Sequence, residues 1–140
     1  MYRIIIFFLF QVSVFSILSA QETIYVKTQP GDATPRLQNA IEQARHFKGK
    51  KVVIQLEQGN YDLYRNSSSK QVYFISNTAS KEENPDPTKH IGLWIKDMKN
   101  LIIDGGGAHL ITHGEMTSFV IDKSENITLR NFTLKARLRK

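Results

Sequence analysis

No cysteine occurs among the 140 residues, and this absence removes several kinds of chemistry together. It excludes a disulfide framework, a thiol nucleophile, a Cys-based zinc site and the acylated cysteine of a lipoprotein. Any fold must therefore be held by packing alone. Tryptophan occurs only as Trp94. Acidic excess is also missing, for the formal charge is +6, but four basic residues crowd into the last six, KARLRK. A basic excess that is mostly a terminal tail, not a surface stripe, argues against nucleic acid as a partner. The length allows one ordinary domain at most.

The first twenty residues read as a leader. Arg3 supplies a short positive start, Ile4–Phe10 and Val12–Leu18 an apolar run, and Ser19-Ala20 a small-residue site before polar Gln21-Glu22. That order is a secretory signal peptide with cleavage near Ala20. The run approaches the ~17–25 residues of a membrane span, but Gln11, Ser13 and Ser16 dilute it. The expected mature chain, 21–140, is exported to the periplasm, the cell surface or the medium, with no membrane association after cleavage.

Thr23–Lys27 alternates as a strand. Thr34-Pro35 offers an N-cap followed by proline at the first helical position. Leu37, Ala40, Ile41, Ala44 and Phe47 form one apolar stripe of a helix over Pro35–Phe47, which ends at Gly49. Lys51–Leu56 is a strand, Gln58-Gly59-Asn60 turns into Tyr61–Tyr64, and Val72–Ile75 is another strand. Asn77–Lys89, with Pro85 and Pro87, is a long loop, either a functional excursion or a bridge.

Beyond Ile91 the chain repeats itself. GLWIKDMKNLIIDG (92–105) aligns without a gap on SFVIDKSENITLRN (118–131), 26 residues later. A period in the range of about 20–50 residues marks a solenoid whose units bury their apolar faces on each other. Alternation sends Leu93, Ile95, Leu101 and Ile103 to one side, and Phe119, Ile121, Ile127 and Leu129 take their places one period on. Asn100 over Asn126 predicts a stacked amide pair, and Gly105 over Asn131 a left-handed corner. About three short strands per unit describe an all-β fold, a right-handed parallel β-helix of the pectate-lyase kind with the helix as N-terminal cap. The leucine spacing of a leucine-rich repeat is absent.

The order DATPRLQNAIEQAR, KVVIQLEQGNYDLY, VYFISN and GLWIKDMKNLIIDGGGAHLITHGEMTSFVIDKSENITLRNFTL resembles the N-terminal part of the bacterial α-1,3-galactosidases of glycoside hydrolase family 110. The resemblance covers Asp32–Leu134. Its most specific stretches are YFISN and LITHGEMTSFVIDKSENITLRNFTL, while NLIIDGGG and NITLRNFTL also suit pectin-degrading β-helix enzymes. It implies an exo-acting, inverting glycosidase that removes terminal α-1,3-linked galactose from glycans without a metal or other cofactor. Those enzymes are several-fold longer, so the chain reads as their truncated N-terminal coils, with the catalytic carboxylates in later coils. No catalytic residue is carried over. Alternative readings are a carbohydrate-binding or adhesive β-helix module, or a small polysaccharide lyase or hydrolase. Expressed alone, residues 21–140 are expected to be inactive and to aggregate through an unpaired strand edge.

The residues themselves offer few rival sites. The repeat contains the carboxylates Asp97, Asp104, Glu115, Asp122 and Glu125. Turn formation and solvation account for Asp104 and Asp122, and alignment suggests cross-coil ion pairs of Asp97 with Lys123 and of Lys99 with Glu125. His109 and His113, with Glu115 nearby, suggest a metal site, but residues four apart on a strand lie ~13 Å apart, so no metal is expected. Trp94 should point outward, as a sugar platform or as an anchor under the 77–89 loop. Asn66, Asn126 and Asn131 begin glycosylation-like triplets, and strand and corner positions already explain the last two.

Overall fold

The computed structural model describes residues 20–73 and 86–137. The signal-peptide reading of residues 1–19, the Phe74-Ile75 end of the expected strand, positions 77–85 of the expected loop and the last three basic-tail residues lie outside the described residues. In chain order come β1 (Gln21–Val26), α1 (Thr34–Ala44), β2 (Lys51–Leu56), β3 (Asn60–Tyr64), a 3-10 turn at Arg65–Ser67, β4 (Ser69–Val72), β5 (Thr88–Lys96), β6 (Lys99–His113), β7 (Thr117–Asp122) and β8 (Glu125–Arg137). The protein is predominantly β, and apart from the antiparallel β4–β5 pair its strands run parallel.

Stacking extends further than the 26-residue repeat. β1 pairs with β2, β2 with the first half of β6, and β6 with β8, so that Ile24, Ile54, Ile103 and Leu129 form one ladder. β3 pairs with the second half of β6, bringing Tyr61 beside Leu110. β5 and β7 make the facing sheet, with Leu93 on Phe119 and Ile95 on Ile121. Each strand sends alternate side chains inward, and Leu93, Ile95, Leu101, Ile103 and Leu110 are fully buried. Burial then fades along the stack, for Ile121 is 48% exposed and Leu134 47% exposed.

The helix is set by different residues from those expected. Ala33, not Thr34, is the N-cap, and it makes no side-chain cap bond. Asp32 Oδ1 instead accepts the Thr34 amide at 2.8 Å, and the Thr34 hydroxyl accepts the Tyr64 amide at 2.9 Å. Regular helix stops at Ala44, and Arg45, His46 and Phe47 continue it as a tighter turn with i→i+3 bonds to Glu42, Gln43 and Ala44. Leu37 and Ile41 are buried against the strands. Gln38 ties α1 to β5 twice, its side chain accepting the Trp94 amide at 2.9 Å and donating to the Trp94 carbonyl at 3.0 Å.

Corners also differ from the gapless alignment. Asp97 and Lys123 both adopt left-handed backbone, φ 51 and 45, as do Asn100 and Asn126, φ 57 and 54. The expected amide pair is present, with Asn126 Nδ2 donating to Asn100 Oδ1 at 2.7 Å. After Asp104, which stacks on Arg130, the next paired residues are Ala108 and Phe132. Gly105, Gly106 and Gly107 therefore span a corner that Asn131 alone spans in β8. Gly106, Gly107 and Asn131 are left-handed there, and Gly105 is not. Gly105 is needed for closeness instead: an added Cβ would lie 2.6 Å from the Asn131 carbonyl oxygen and collide with Phe132 Cβ. Gly105→Ala is expected to destabilise by about 1–3 kcal/mol, read as a lower urea midpoint with an unchanged denaturant slope.

Candidate functional site

Three segments remote in sequence meet beside the start of β5 and enclose a cavity of about 370 Å³. Arg65 comes from the 3-10 turn, Asp86, Thr88, Lys89 and His90 from the approach to β5, and Glu115, Met116 and Thr117 from the corner between β6 and β7. The antiparallel pairing of β4 with β5, Lys70 beside His90, brings the first two segments together. Gly114, at φ +88, turns the chain into the third.

Hydrogen bonds orient this cavity's lining. Arg65 Nε donates to the Glu115 carbonyl at 3.1 Å, which steadies the guanidinium across the mouth. Ser68 Oγ donates to the Arg65 carbonyl at 2.6 Å and sits 3.2 Å from His90 Nδ1. A serine hydroxyl has one proton. Since the Arg65 carbonyl takes it, Nδ1 must carry the hydrogen that Ser68 accepts, and a neutral His90 then keeps Nε2 as an acceptor. Asp86 accepts the Thr88 amide at 2.9 Å, and Thr88 holds its carboxyl below the ordinary value. Donors and acceptors thus share one cleft, whose size lies at the lower end of ligand sites. A wider hollow beside Gly106, about 550 Å³, is lined by Gly107, Asn131, Phe132 and Thr133 and offers no ionisable group.

The carboxylates singled out in the sequence separate by environment. Asp104 is 7% exposed, which corrects the expectation of solvation. Its Oδ1 accepts the Gly106 amide at 3.0 Å and Asn131 Nδ2 at 3.1 Å, while Oδ2 accepts Arg130 Nε at 2.8 Å. Burial would raise its pKa, but the Asn131, Gly106 and Arg130 donors outweigh it and hold the carboxyl below the ordinary value. Asp122, also expected to be solvated, accepts the Tyr73 hydroxyl at 2.8 Å. Lys99 and Glu125 pair at 2.9 Å as the alignment suggested; exposed, the pair contributes little. The structure shows no ion pair between Asp97 and Lys123, whose shared feature is the left-handed corner. Glu115 lines the cavity.

His109 and His113 are held differently. Nε2 of His113 is 2.6 Å from Asp62 Oδ1, and its ring stacks on Tyr64 at 4.5 Å. His109 Nδ1 is buried without a partner among the described residues. Asp32, on the same side of β3 as the helix start, has its pKa pushed up by burial, but hydrogen bonds from Ser67, Thr34 and Tyr64 bring it below the ordinary carboxylate value. Trp94 Nε1 donates to the Tyr73 hydroxyl at 2.9 Å, and Lys96 Nζ lies 5.2 Å from its ring centroid. These contacts make Trp94 an anchor for Tyr73, at the edge of the described segment, more than a bare platform. No motif in the sequence joins Arg65, Lys89 and His90, because only the folded pairing of β4 with β5 brings them to Glu115.

No family model matches the chain. Individual relatives do. It is 43% identical over 119 residues to alpha-1,3-galactosidase A of Bacteroides thetaiotaomicron, which covers 85% of this chain and 21% of that enzyme. Against alpha-1,3-galactosidase B of Phocaeicola vulgatus the figures are 34% over 105 residues, 74% and 17%. Against alpha-1,3-galactosidase B of Bacteroides fragilis they are 34% over 124 residues, 82% and 20%. The chain resembles part of a longer α-1,3-galactosidase. It spans about a fifth of the length of these curated relatives, and most of its own residues are matched.

Proposed function

We propose that the chain is a glycan-directed stretch of right-handed parallel β-helix, exported by its leading segment and belonging to an inverting exo-α-1,3-galactosidase that acts on galactose-terminated glycans. The observation that carries this is the 43% identity to a named α-1,3-galactosidase across 85% of the chain. The β-helix part is supported by parallel strands stacked in register and by left-handed corners recurring at Asp97 and Lys123, and at Asn100 and Asn126.

On this reading the carboxylates of the repeat bind or brace and do not hydrolyse. Inversion needs two carboxyls about 6.5–9.5 Å apart, with room for a water. In the repeat, Asp104, Asp122 and Glu125 are engaged with Arg130, Tyr73 and Lys99. Asp97 and Glu115 have no side-chain partner among the described residues, but they lie towards opposite ends of the β5–β7 sheet. The five steps from Ile91 to Lys96 separate those ends by about 16 Å at ~3.3 Å per residue, too far for a shared water. Incubated with an α-1,3-galactosyl disaccharide, purified residues 21–140 are expected to release no galactose above the blank, by a coupled galactose dehydrogenase assay. Turnover by that preparation at an enzyme's usual rate, surviving repurification, refutes the reading.

A further inference from the structure

We infer that the cavity bounded by Arg65, His90 and Glu115 is a binding subsite for one neutral hexose, an inference that rests on the glycan-directed reading above and gives it a location. Its charge balance selects the ligand class. Arg65 and Lys89 are matched by Asp86 and Glu115 around the same space, so an anionic sugar gains two cations and faces two carboxylates. A neutral sugar meets no such conflict, because each hydroxyl both donates and accepts.

The lining suits that dual role. Arg65 is braced through Nε, which leaves its terminal nitrogens as donors across the mouth, and Lys89 adds an ammonium. Nε2 of a neutral His90 and the Glu115 carboxylate are acceptors. Met116 supplies an apolar surface for the C–H face of a ring and packs at Gly92, where an added Cβ would come within 3.1 Å of its Cε. The Ser68–His90 bond sets the imidazole's tautomer before any ligand arrives, so less ordering is required on binding. A volume of about 370 Å³ accommodates one ring with ordered water, not an extended oligosaccharide.

The test is protection of His90 from diethyl pyrocarbonate, mapped by mass spectrometry on the full chain, with His46 as internal reference and methyl α-galactoside, methyl α-glucoside and a uronate as ligands. Saturation-transfer NMR on the same samples reports binding anywhere on the chain. A neutral hexoside is expected to slow His90 modification at least threefold, leave His46 unchanged, and lose about tenfold in affinity in Glu115→Gln. Lys89→Met should weaken it similarly. Hexoside binding without His90 protection, or binding undiminished in both variants, places the sugar elsewhere and overturns the subsite while the glycan-directed reading stands. Preference for the uronate overturns the neutral-ligand assignment. Protection by the glucoside but not the galactoside keeps the subsite and contradicts the galactose reading. Absence of binding by every sugar overturns the subsite.

Discussion

Tyr61→Ala is expected to lower stability by about 3–5 kcal/mol, enough to bring the thermal midpoint down by more than about 12 °C in a domain near 100 residues. Tyr61 is fully buried and stacks on Leu110 across β3 and β6. Its hydroxyl lies 2.8 Å from the Val26 carbonyl and 3.0 Å from the Glu57 carbonyl. The one phenolic proton is shared between the end of β1 and the turn leaving β2. Truncation therefore does two separate things: it empties a large space among ladder side chains, and it takes a donor from the Glu57 and Val26 carbonyls, the second of which keeps the Glu57 amide at 3.0 Å. Tyr61→Phe separates them, since it keeps the ring and removes only the proton; a loss of about 1 kcal/mol is expected. Urea unfolding of the three proteins measures both steps. If Tyr61→Ala and Tyr61→Phe lost the same amount, ring packing would contribute nothing and this account of the core would be wrong.

What the sequence made legible follows from distance along the chain. Leu93, Ile95, Leu101 and Ile103 reappear as Phe119, Ile121, Ile127 and Leu129 because alternation and a fixed period are local properties, and the register confirms each pair. Lys51–Leu56 belongs to the same ladder, with Val52 beside Leu101, yet a spacing wider than the 26-residue period hid it. Gly105 serves close approach and not a left-handed corner, a distinction hidden from a gapless alignment because three glycines turn one corner and Asn131 another. Asp32 supports the helix start because its carboxylate reaches the Thr34 amide, while the Thr34 hydroxyl is turned to the Tyr64 amide. The cavity was invisible for a simpler reason. Arg65, His90 and Glu115 share no spacing, and only the return of β4 along β5 joins them. Of the three, Glu115 alone stands out in the sequence, as one of the repeat's five carboxylates and as a neighbour of His109 and His113.

Asp104→Ala is expected to cost about 2–4 kcal/mol, because it leaves the Gly106 amide, Asn131 and Arg130 without their common acceptor. The lower part of that range allows for Arg130, whose side chain is 52% exposed and solvated by water when released. The residue also permits a test of role. An aspartate in general acid–base work is tuned towards the working pH, whereas donors from Asn131, Gly106 and Arg130 hold Asp104 below its ordinary value despite burial. A carboxyl depressed in the folded state stabilises fully above the unfolded pKa, about 3.9 for aspartate, and that stabilisation is lost as pH falls through the folded pKa. The stability gap between the native chain and Asp104→Asn should therefore be constant from about pH 8 to pH 5, and narrow below it. Asp32, depressed in the same direction, is unchanged in both proteins and cancels from the difference. A gap that widened on acidification would mean that Asp104 is protonated more readily in the fold than in the unfolded chain. The carboxylate would then be poised for proton transfer, and its role as the brace between β6 and β8 would have to be abandoned.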